Sequence, residues 1–221
     1  MIYKPVKTPL IAKSIFPNYV WDVPSASKSI YLTFDDGPTP EITSWVLNTL
    51  KDYNAKATFF CIGKNVEKYP EIFERILVDG HHVGNHTQSH IKGWNSSTEV
   101  YLKNVQICDE VIKSQIIHSE LSAKNYQNVH LFRPPYGQIK PKQGKKLMEH
   151  GYKIIMWDVL SFDWDKKVSE EICLSNVISK AKSGSIVVFH DSLKASKNMM
   201  FTLPKVLDYF TKKGYNFDVL D

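Results

Sequence analysis

The chain has 221 residues, of which 43% are hydrophobic and 23% charged, and its formal net charge is +5. This length suits one large domain with a substantial core, and the composition excludes a largely disordered chain. Because the charge is modest and no basic stripe carries interleaved aromatic residues, we expect no nucleic-acid partner. One group of lysines is interpreted as a solvated helix face, with attraction to an anionic polymer as the alternative: Lys140, Lys142, Lys145 and Lys146.

No apolar stretch approaches the length of a membrane span. The apolar run from Pro9 to Ala12 is too short for the central segment of a signal peptide, and Lys13 interrupts it. The cysteines, Cys61, Cys108 and Cys173, are widely spaced among apolar neighbours, which argues against a disulfide framework or a thiolate metal site. We therefore expect a cytoplasmic protein as written, or a mature form whose export signal has been left off, with export by another route left open. The sequence does not indicate the oligomeric state.

Predicted strands and helices alternate along the chain. Residues 1–28 contain four prolines and show no clear period, which predicts an N-terminal arm packed on a domain formed by residues 29–221. Strands are predicted at 30–34, 56–62, 82–85, 129–132, 153–159, 185–189 and 215–219. Helices are predicted at 40–53, 66–79, 97–117 with a cap at Ser97 or Thr98, 142–150, 169–182 and 198–213, and residues 119–127 as an irregular surface segment. Buried strands alternating with amphipathic helices predict an α/β fold of parallel units.

The first predicted strand ends in the sequence TFDDGP, from Thr33 to Pro38. The apolar run before Asp35 and Asp36 has the β-branched and aromatic residues of a buried strand, and Gly37-Pro38 ends it. Successive side chains of a strand point in opposite directions, so one carboxylate could bind a metal while the other accepts a proton. The alternative is a simple acidic turn, since Asp and Gly favour turns for local reasons.

Two histidines follow a later strand in the sequence HTQSH. His86 and His90 are four residues apart, which would place both imidazoles on one side if the segment formed a turn of helix. Two histidines and a carboxylate suit a catalytic Zn²⁺ with one position open for water. Asp36, at another strand end, could supply the carboxylate. The alternative is a pair of polar loop residues without a ligand.

Three more polar residues, Arg133, Asp163 and His190, each follow a predicted strand. The carboxyl ends of parallel strands meet at one edge, where α/β folds place their chemistry, so we expect these residues to gather with the acids and histidines. A metal hydrolase needs such a set: a Lewis acid, a carboxylate base and an acid for the leaving group. Taken singly, Arg133 also fits a surface or salt-bridge residue, and His190 a buried histidine with its hydrogen bonds satisfied.

Five segments in order, TFDDGP, HTQSH, FRPPYG, SFDW and VVFHD, resemble the five motifs of the polysaccharide deacetylase (NodB-homology) domain, carbohydrate esterase family 4. They spread through nearly the whole chain, from about Ile30 to Leu220. The resemblance implies a distorted (β/α) barrel of about seven parallel strands. It also implies a metal-dependent hydrolase that removes N-acetyl groups from N-acetylglucosamine-type oligo- or polysaccharides. The implied cofactor is a divalent metal, most often Zn²⁺, with Co²⁺, Ni²⁺ or Mn²⁺ as alternatives.

The resemblance implies a metal site and a general base. The metal ligands would be Asp36, His86 and His90. Asp35 would be the base that takes a proton from the attacking water, and Arg133 would hold and tune that base.

The resemblance also implies groups that act on the leaving amine, the oxyanion and the acetyl methyl group. His190 would protonate the departing amine, with Asp163 paired to it. The backbone N–H of Tyr136 would stabilise the oxyanion, which is the electrostatic contribution expected to matter most. Trp164 and Val188 would line the pocket for the acetyl methyl group.

The chain departs from the family's usual pattern at two positions. Leu160 stands where an acid usually begins the fourth motif, and Val188 stands where leucine is usual in the fifth. These departures bear on substrate details. Two alternatives therefore stay open beside the amidase: an O-acetyl esterase or small amide or ureide hydrolase on the same fold, and an inactive carbohydrate-binding relative.

Overall fold

The computed structural model describes residues 5–24, 27–118 and 130–221. The predicted irregular segment at 119–127 lies outside these residues. The described strands are β1 (Ser29–Asp35), β2 (Ala57–Cys61), β3 (His82–Asn85), β4 (His130–Phe132), β5 (Tyr152–Ile154), β6 (Val159–Leu160), β7 (Ile186–His190) and β8 (Asn216–Phe217). The described helices are α1 (Leu10–Ile15), α2 (Ile42–Asp52), α3 (Gly63–Lys68), α4 (Pro70–Val78), α5 (Thr98–His118), α6 (Pro141–Glu149), α7 (Glu170–Ile178) and α8 (Ser196–Lys212).

The strands form one sheet in which every described pair is parallel. Their order is β5-β4-β3-β2-β1-β7-β6, with β8 beside β1. The sheet curls into a half-barrel, which confirms the predicted α/β fold of about seven parallel strands. Among the helices of the described residues, none has the length and apolar character needed to cross a membrane.

Strand β1 lies inside the sheet, between β2 and β7, and is buried along its whole length. Ile30, Leu32 and Phe34 pack in the main apolar core, where the Phe34 ring stacks on the rings of neighbouring strands. Because side chains alternate along a strand, Thr33 and Asp35 point to the opposite face, the inside of the half-barrel. The apolar pattern of β1 therefore aims Asp35 inward.

Two predicted elements are interrupted in the structure. The helix predicted at 66–79 is two helices, because Pro70 has no N–H to continue α3 and instead begins α4. The strand predicted at 153–159 is split into β5 and β6. Between them, the backbone of the arm residue Val20 pairs with the chain. Its N–H donates to the Ile154 carbonyl (2.8 Å), and its carbonyl accepts from the Met156 N–H (2.7 Å).

The N-terminal arm contains a short helix, α1, that the sequence analysis did not predict, because six residues are too few to show a period. An ion-pair cluster fastens this arm to the barrel. The buried carboxylate of Asp158 accepts from Lys7 Nζ (2.5 Å), Lys13 Nζ (2.8 Å) and Ser185 Oγ (2.6 Å), and Lys13 also contacts Asp22. The division into arm and domain at residue 28 stays a prediction.

We expect Asp158→Asn to lower the free energy of unfolding by about 2 kcal/mol at neutral pH, because it leaves two lysines that are only partly exposed without their counter-charge. Burial would raise the pKa of Asp158, but hydrogen bonds from Lys13, Lys7 and Ser185 lower it below its usual range. A carboxyl with a lower pKa in the folded state stabilises the protein above its unfolded pKa of about 4, and this contribution is lost as the pH falls.

Urea unfolding at neutral and acidic pH checks this expectation. The difference between wild type and Asp158→Asn should shrink toward zero as the pH drops below about 4. Asp22→Asn is the matched control, because Asp22 belongs to the same cluster but its side chain is 42% exposed, so its loss should cost no more than about 0.5 kcal/mol. A difference that did not vary with pH would contradict the role given to the Asp158 charge.

Candidate active site

A cavity of about 380 Å³ opens at the carboxyl ends of the strands. Of the predicted site residues, those that line it are Asp35, Asp36, His86, His90, Tyr136, Trp164, Val188 and His190. The other two, Arg133 and Asp163, are buried and hydrogen-bonded to lining residues. A larger cavity of about 810 Å³ lies against the N-terminal arm, away from these groups, so size alone does not identify the site.

Asp35 is hydrogen-bonded to the guanidinium of Arg133, which has no exposed surface. Arg133 Nη1 donates to Asp35 Oδ1 (2.7 Å) and to Thr33 Oγ1 (2.6 Å). Its other nitrogens donate to the carbonyls of Ile155 and Met156, at 3.3 and 2.9 Å. A buried charge is tolerated only when it is paired and hydrogen-bonded, and Arg133 meets both conditions. The alternative of a surface residue is therefore wrong, the salt bridge is a buried one, and Arg133 fixes the orientation of the Asp35 carboxylate.

Asp36, His86 and His90 converge on one point. Their candidate ligand atoms lie within 4.8 Å of one another. Asp36 Oδ1 is 3.2 Å from His90 Nε2 and 3.6 Å from His86 Nε2. The segment is not helical, because Thr87 and His90 have left-handed backbones with φ of 65° and 54°. The proposed turn of helix is therefore wrong, and it is this irregular turn that brings the two rings together.

The three residues fit a divalent cation. Asp36 Oδ1 is buried and has no hydrogen-bond partner within the described residues, which a cation would supply. His86 Nδ1 lies 2.7 Å from the Arg133 carbonyl and donates to it, which leaves Nε2 with its lone pair toward the cluster. Two imidazole nitrogens and one carboxylate oxygen are donors that suit Zn²⁺ and related ions.

The protonation states also suit a ligand set, since metal binding requires neutral imidazole and ionised carboxylate. Burial lowers the pKa of His86 to about 4, so its ring is neutral near pH 7. Burial would raise the pKa of Asp36, but the close approach of His90 and the positive charges that His190, His86 and His90 carry at acid pH lower it far below its usual range. Asp36 is therefore ionised.

His190 is paired with Asp163 on the opposite wall. Asp163 Oδ1 lies 2.8 Å from His190 Nδ1, and Asp163 Oδ2 accepts from the His190 backbone N–H at 2.7 Å. Burial would lower the pKa of His190, but the charge and hydrogen bond of Asp163, with the charges of Asp36 and Asp35, raise it to about 9. The ring is therefore protonated near neutral pH and can donate a proton into the cavity.

The remaining wall is largely apolar. Val188 and Leu160 are partners across β6 and β7, and both line the cavity beside Trp164. Leu160, which stands where the resemblance implies an acid, therefore adds an apolar surface to this wall. Tyr136 lies in a 3₁₀ turn with φ of 60°, and its ring centroid is 4.6 Å from that of His90.

Asp191, an acid that the motifs did not single out, is fully buried beside the carboxylate pair. Its Oδ2 accepts from Thr43 Oγ1 (2.5 Å), and its backbone N–H donates to the Asp35 carbonyl (3.1 Å). A Cβ on Gly37 would lie 2.0 Å from Asp191 Oδ2, so only glycine lets the carboxyl pack on the turn that follows Asp36. An acid directly after His190 at the end of an apolar strand was the available signal.

We expect Asp191→Ala to weaken binding of Co²⁺, used as a spectroscopic probe, by about tenfold, because it releases the turn that positions Asp36. Thr43→Val should produce a smaller loss, and Thr43→Ser should retain wild-type affinity because it keeps the hydroxyl. Titration of the metal-free proteins with Co²⁺ measures these affinities. Thr49→Val is the matched control, since its hydroxyl bonds to the Trp45 carbonyl within α2, away from the turn. Equal affinity in folded wild type and Asp191→Ala would contradict the positioning role.

The chain is similar to known proteins in sequence and in fold. Residues 22–155 match the family model for polysaccharide deacetylase. Peptidoglycan-N-acetylglucosamine deacetylase of Bacillus cereus is 36% identical over 213 residues, covering 94% of each chain. Chitin deacetylase 2 of Saccharomyces cerevisiae is 34% identical over 194 residues, covering 84% of this chain and 57% of the yeast protein.

A solved structure matches the whole fold. The crystal structure of the Bc1960 peptidoglycan N-acetylglucosamine deacetylase, in complex with an N-oxidanyl-benzamide, superposes with a TM-score of 0.83 at 32% identity. The match covers 96% of this chain and 95% of that one. The similarity therefore extends beyond the first three motifs to the segments that carry Asp163 and His190.

Proposed function

The chain belongs to the polysaccharide deacetylase family of hydrolases acting on carbon–nitrogen bonds other than peptide bonds, and on that premise we propose that it is a metal-dependent enzyme that releases acetate from N-acetylglucosamine residues of a glycan. One observation carries the proposal. The three candidate metal ligands, Asp35 with Arg133 behind it, and His190 with its partner Asp163 meet at a single cavity. Together these residues would give the cavity a base, an acid and a cation site.

Asp36, His86 and His90 would hold the ion, which when bound supplies Lewis acidity toward the acetamide oxygen and the attacking water. Asp35 would accept the proton of that water. Arg133 supports this role because it fixes one carboxylate oxygen from behind while Asp35 lines the cavity. A base held in place by a fully buried partner loses little free energy to reorientation during the reaction.

His190 would donate its proton to the departing nitrogen as the carbon–nitrogen bond breaks. The amine leaves with that proton, and the acetyl carbon takes the hydroxyl of the water, so the products are acetate and a free amino sugar. The raised pKa of His190 supports the assignment, because an acid must carry its proton at working pH. The backbone N–H of Tyr136, in its left-handed turn, would hydrogen-bond the developing oxyanion.

The apolar wall favours a small acyl group. Leu160, Val188 and Trp164 present hydrocarbon surface to the cavity, which would accept the acetyl methyl and leave the sugar toward the open mouth. The relatives named above act, by their names, on peptidoglycan and chitin, and both polymers contain acetylated glucosamine. We therefore assign an acetylated glycan as the substrate.

We expect the purified protein to release acetate from N-acetylglucosamine oligomers, to lose this activity after chelation, and to regain it when Zn²⁺ is restored. Metal content by mass spectrometry and acetate by a coupled assay are measured on the same samples. An acetate ester of a small alcohol is the comparison substrate, since it lacks the amine that His190 would protonate. Bound metal with ester but no amide hydrolysis would overturn the substrate assignment, and full activity in metal-free protein would overturn the mechanism.

A further inference from the structure

The turn that carries His86 and His90 has a strained backbone. Thr87 and His90 adopt left-handed conformations, with φ of 65° and 54°, which residues other than glycine rarely occupy. Thr87 is β-branched, and for such a side chain this conformation is especially unfavourable. A backbone of this kind persists only where the surrounding groups hold it in place. Contacts from outside the turn must therefore impose its shape.

Asn104, on the side of α5 that faces the turn, accepts two of its backbone N–H groups. The Asn104 carbonyl accepts from the Gln88 N–H at 3.1 Å, and the Asn104 side-chain Oδ1 accepts from the Ser89 N–H at 3.1 Å. Asparagine is less favourable than alanine inside a helix, because its side chain competes for backbone groups. Helix formation therefore does not explain asparagine at this position, whereas binding to the turn does.

The rest of the turn is held from two directions. The Thr87 N–H donates to Asn85 Oδ1 (2.8 Å), and the Asn85 amide donates in turn to a carbonyl of α5 (2.8 Å). The Thr87 carbonyl accepts from the N–H of Gly63, the first residue of α3, at 3.1 Å. The turn is therefore clamped between α3 and α5, and Asn104 holds the residue directly before His90.

The two histidines depend on this clamp to different degrees. His86 is fixed at two of its own atoms, because its backbone N–H donates to the Cys61 carbonyl (3.0 Å) and its Nδ1 donates to the Arg133 carbonyl (2.7 Å). The His90 side chain is 25% exposed, and its Nε2 approaches Asp36, which is itself a candidate ligand, at 3.2 Å. The position of the His90 ring therefore depends on the backbone that carries it.

We propose that Asn104 is a positioning residue of the candidate metal site, and that it holds the turn so that His90 Nε2 points toward the other two candidate ligands. Asn104 lies outside the five sequence motifs and does not line the cavity, so it acts through the turn and not on a substrate. Groups that orient metal ligands typically contribute 10- to 100-fold to metal affinity. This inference rests on the proposed function, because that function requires the ion.

Titration of metal-free protein with Co²⁺ tests the role of Asn104. Asn104→Ala should weaken Co²⁺ binding about tenfold, because the Ser89 N–H loses its acceptor next to His90. Asn104→Asp should bind Co²⁺ within a few-fold of wild type, because a carboxylate oxygen can accept the same hydrogen bond. Hydrogen exchange of the Ser89 amide should become faster in Asn104→Ala and stay slow in Asn104→Asp. The melting temperature of metal-free Asn104→Ala should change little, since alanine favours a helix interior.

Gln106→Ala is the matched control, because Gln106 is an exposed amide of the same helix that donates to Glu110 (2.8 Å), and it should bind Co²⁺ as wild type does. The titration needs no substrate, so it separates this inference from the proposed function. If wild type released no acetate but bound Co²⁺ more tightly than Asn104→Ala, the positioning role would stand and the proposed function would fail. Equal Co²⁺ affinity in folded wild type and Asn104→Ala would overturn the positioning role, and so would an equal loss in Asn104→Ala and Gln106→Ala.

Discussion

Asp35→Asn should lower kcat by about 10³-fold or more while leaving metal affinity within a few-fold of wild type. Asparagine has nearly the same shape as aspartate, and its amide oxygen can still accept from Arg133 Nη1. It cannot take up a proton from water. Asp35 is not one of the three residues that converge as candidate ligands, so the metal site should survive the change.

The same substitution removes the counter-charge of a buried guanidinium. Arg133 would keep its hydrogen bonds to Thr33 and to the carbonyls of Ile155 and Met156, so we expect a loss of about 3 kcal/mol of folding free energy rather than unfolding. Activity must therefore be measured well below the melting temperature. Asp158→Asn serves as the stability control, since it also removes a buried paired carboxylate but lies outside the cavity.

Steady-state acetate release and Co²⁺ titration are measured on both variants. Asp158→Asn should retain turnover despite its lower stability, whereas Asp35→Asn should not. Full activity of Asp35→Asn would show that another group accepts the proton, and the assignment of the base would be wrong.

His86→Ala should abolish metal binding and turnover together. His86 is buried, its Nε2 faces Asp36, and its Nδ1 is committed to the Arg133 carbonyl. Loss of a group that only orients a ligand typically costs 10- to 100-fold in metal affinity, so loss of the ligand itself should exceed about 100-fold. The substitution also leaves a void and an unsatisfied carbonyl on Arg133, which should disturb the residue that holds Asp35.

His82→Ala is the matched control for His86→Ala. His82 begins β3, the strand that ends just before His86, but its Nδ1 contacts the Leu220 carbonyl at the amino end of that strand, and it does not line the cavity. Metal content after dialysis and acetate release should be at wild-type values in His82→Ala and absent in His86→Ala. Retention of bound metal by His86→Ala would remove this histidine from the ligand set.

Comparing Asp35→Asn with His86→Ala separates the role of the base from that of a metal ligand. Asp35→Asn should bind metal without turning over substrate, and His86→Ala should do neither. If both variants lost metal, Asp35 would be a ligand rather than a base.

Local patterns were sufficient to predict the strands that carry the site. The apolar run before Asp35 and the turn residues after it depend only on neighbours in sequence, so β1 and its end could be read directly. The same holds for β7 and His190. Because parallel strands end at one edge, the gathering of the acids and histidines followed from these ends. Pro70 is also a local signal for a helix boundary, and the prediction of a single helix across it was wrong.

Other features depend on contacts between distant parts of the chain. The gap between β5 and β6 arises because Val20 of the arm takes hydrogen bonds that a continuous strand would have used. The burial of Asp191 depends on Thr43 and Gly37, which are about 150 residues away in sequence. The backbone of His86 to His90 is irregular rather than helical, although its spacing fitted a helix equally well.

The sequence by itself determined which residue types stand at the strand ends and, through their order, the family to which the chain belongs. Only the tertiary structure decided what each side chain does there. It buried Arg133 against Asp35 and raised the pKa of His190 beside Asp163. The physical reason is that strand periodicity acts over a few residues, whereas burial, charge pairing and pKa depend on groups brought together by the fold.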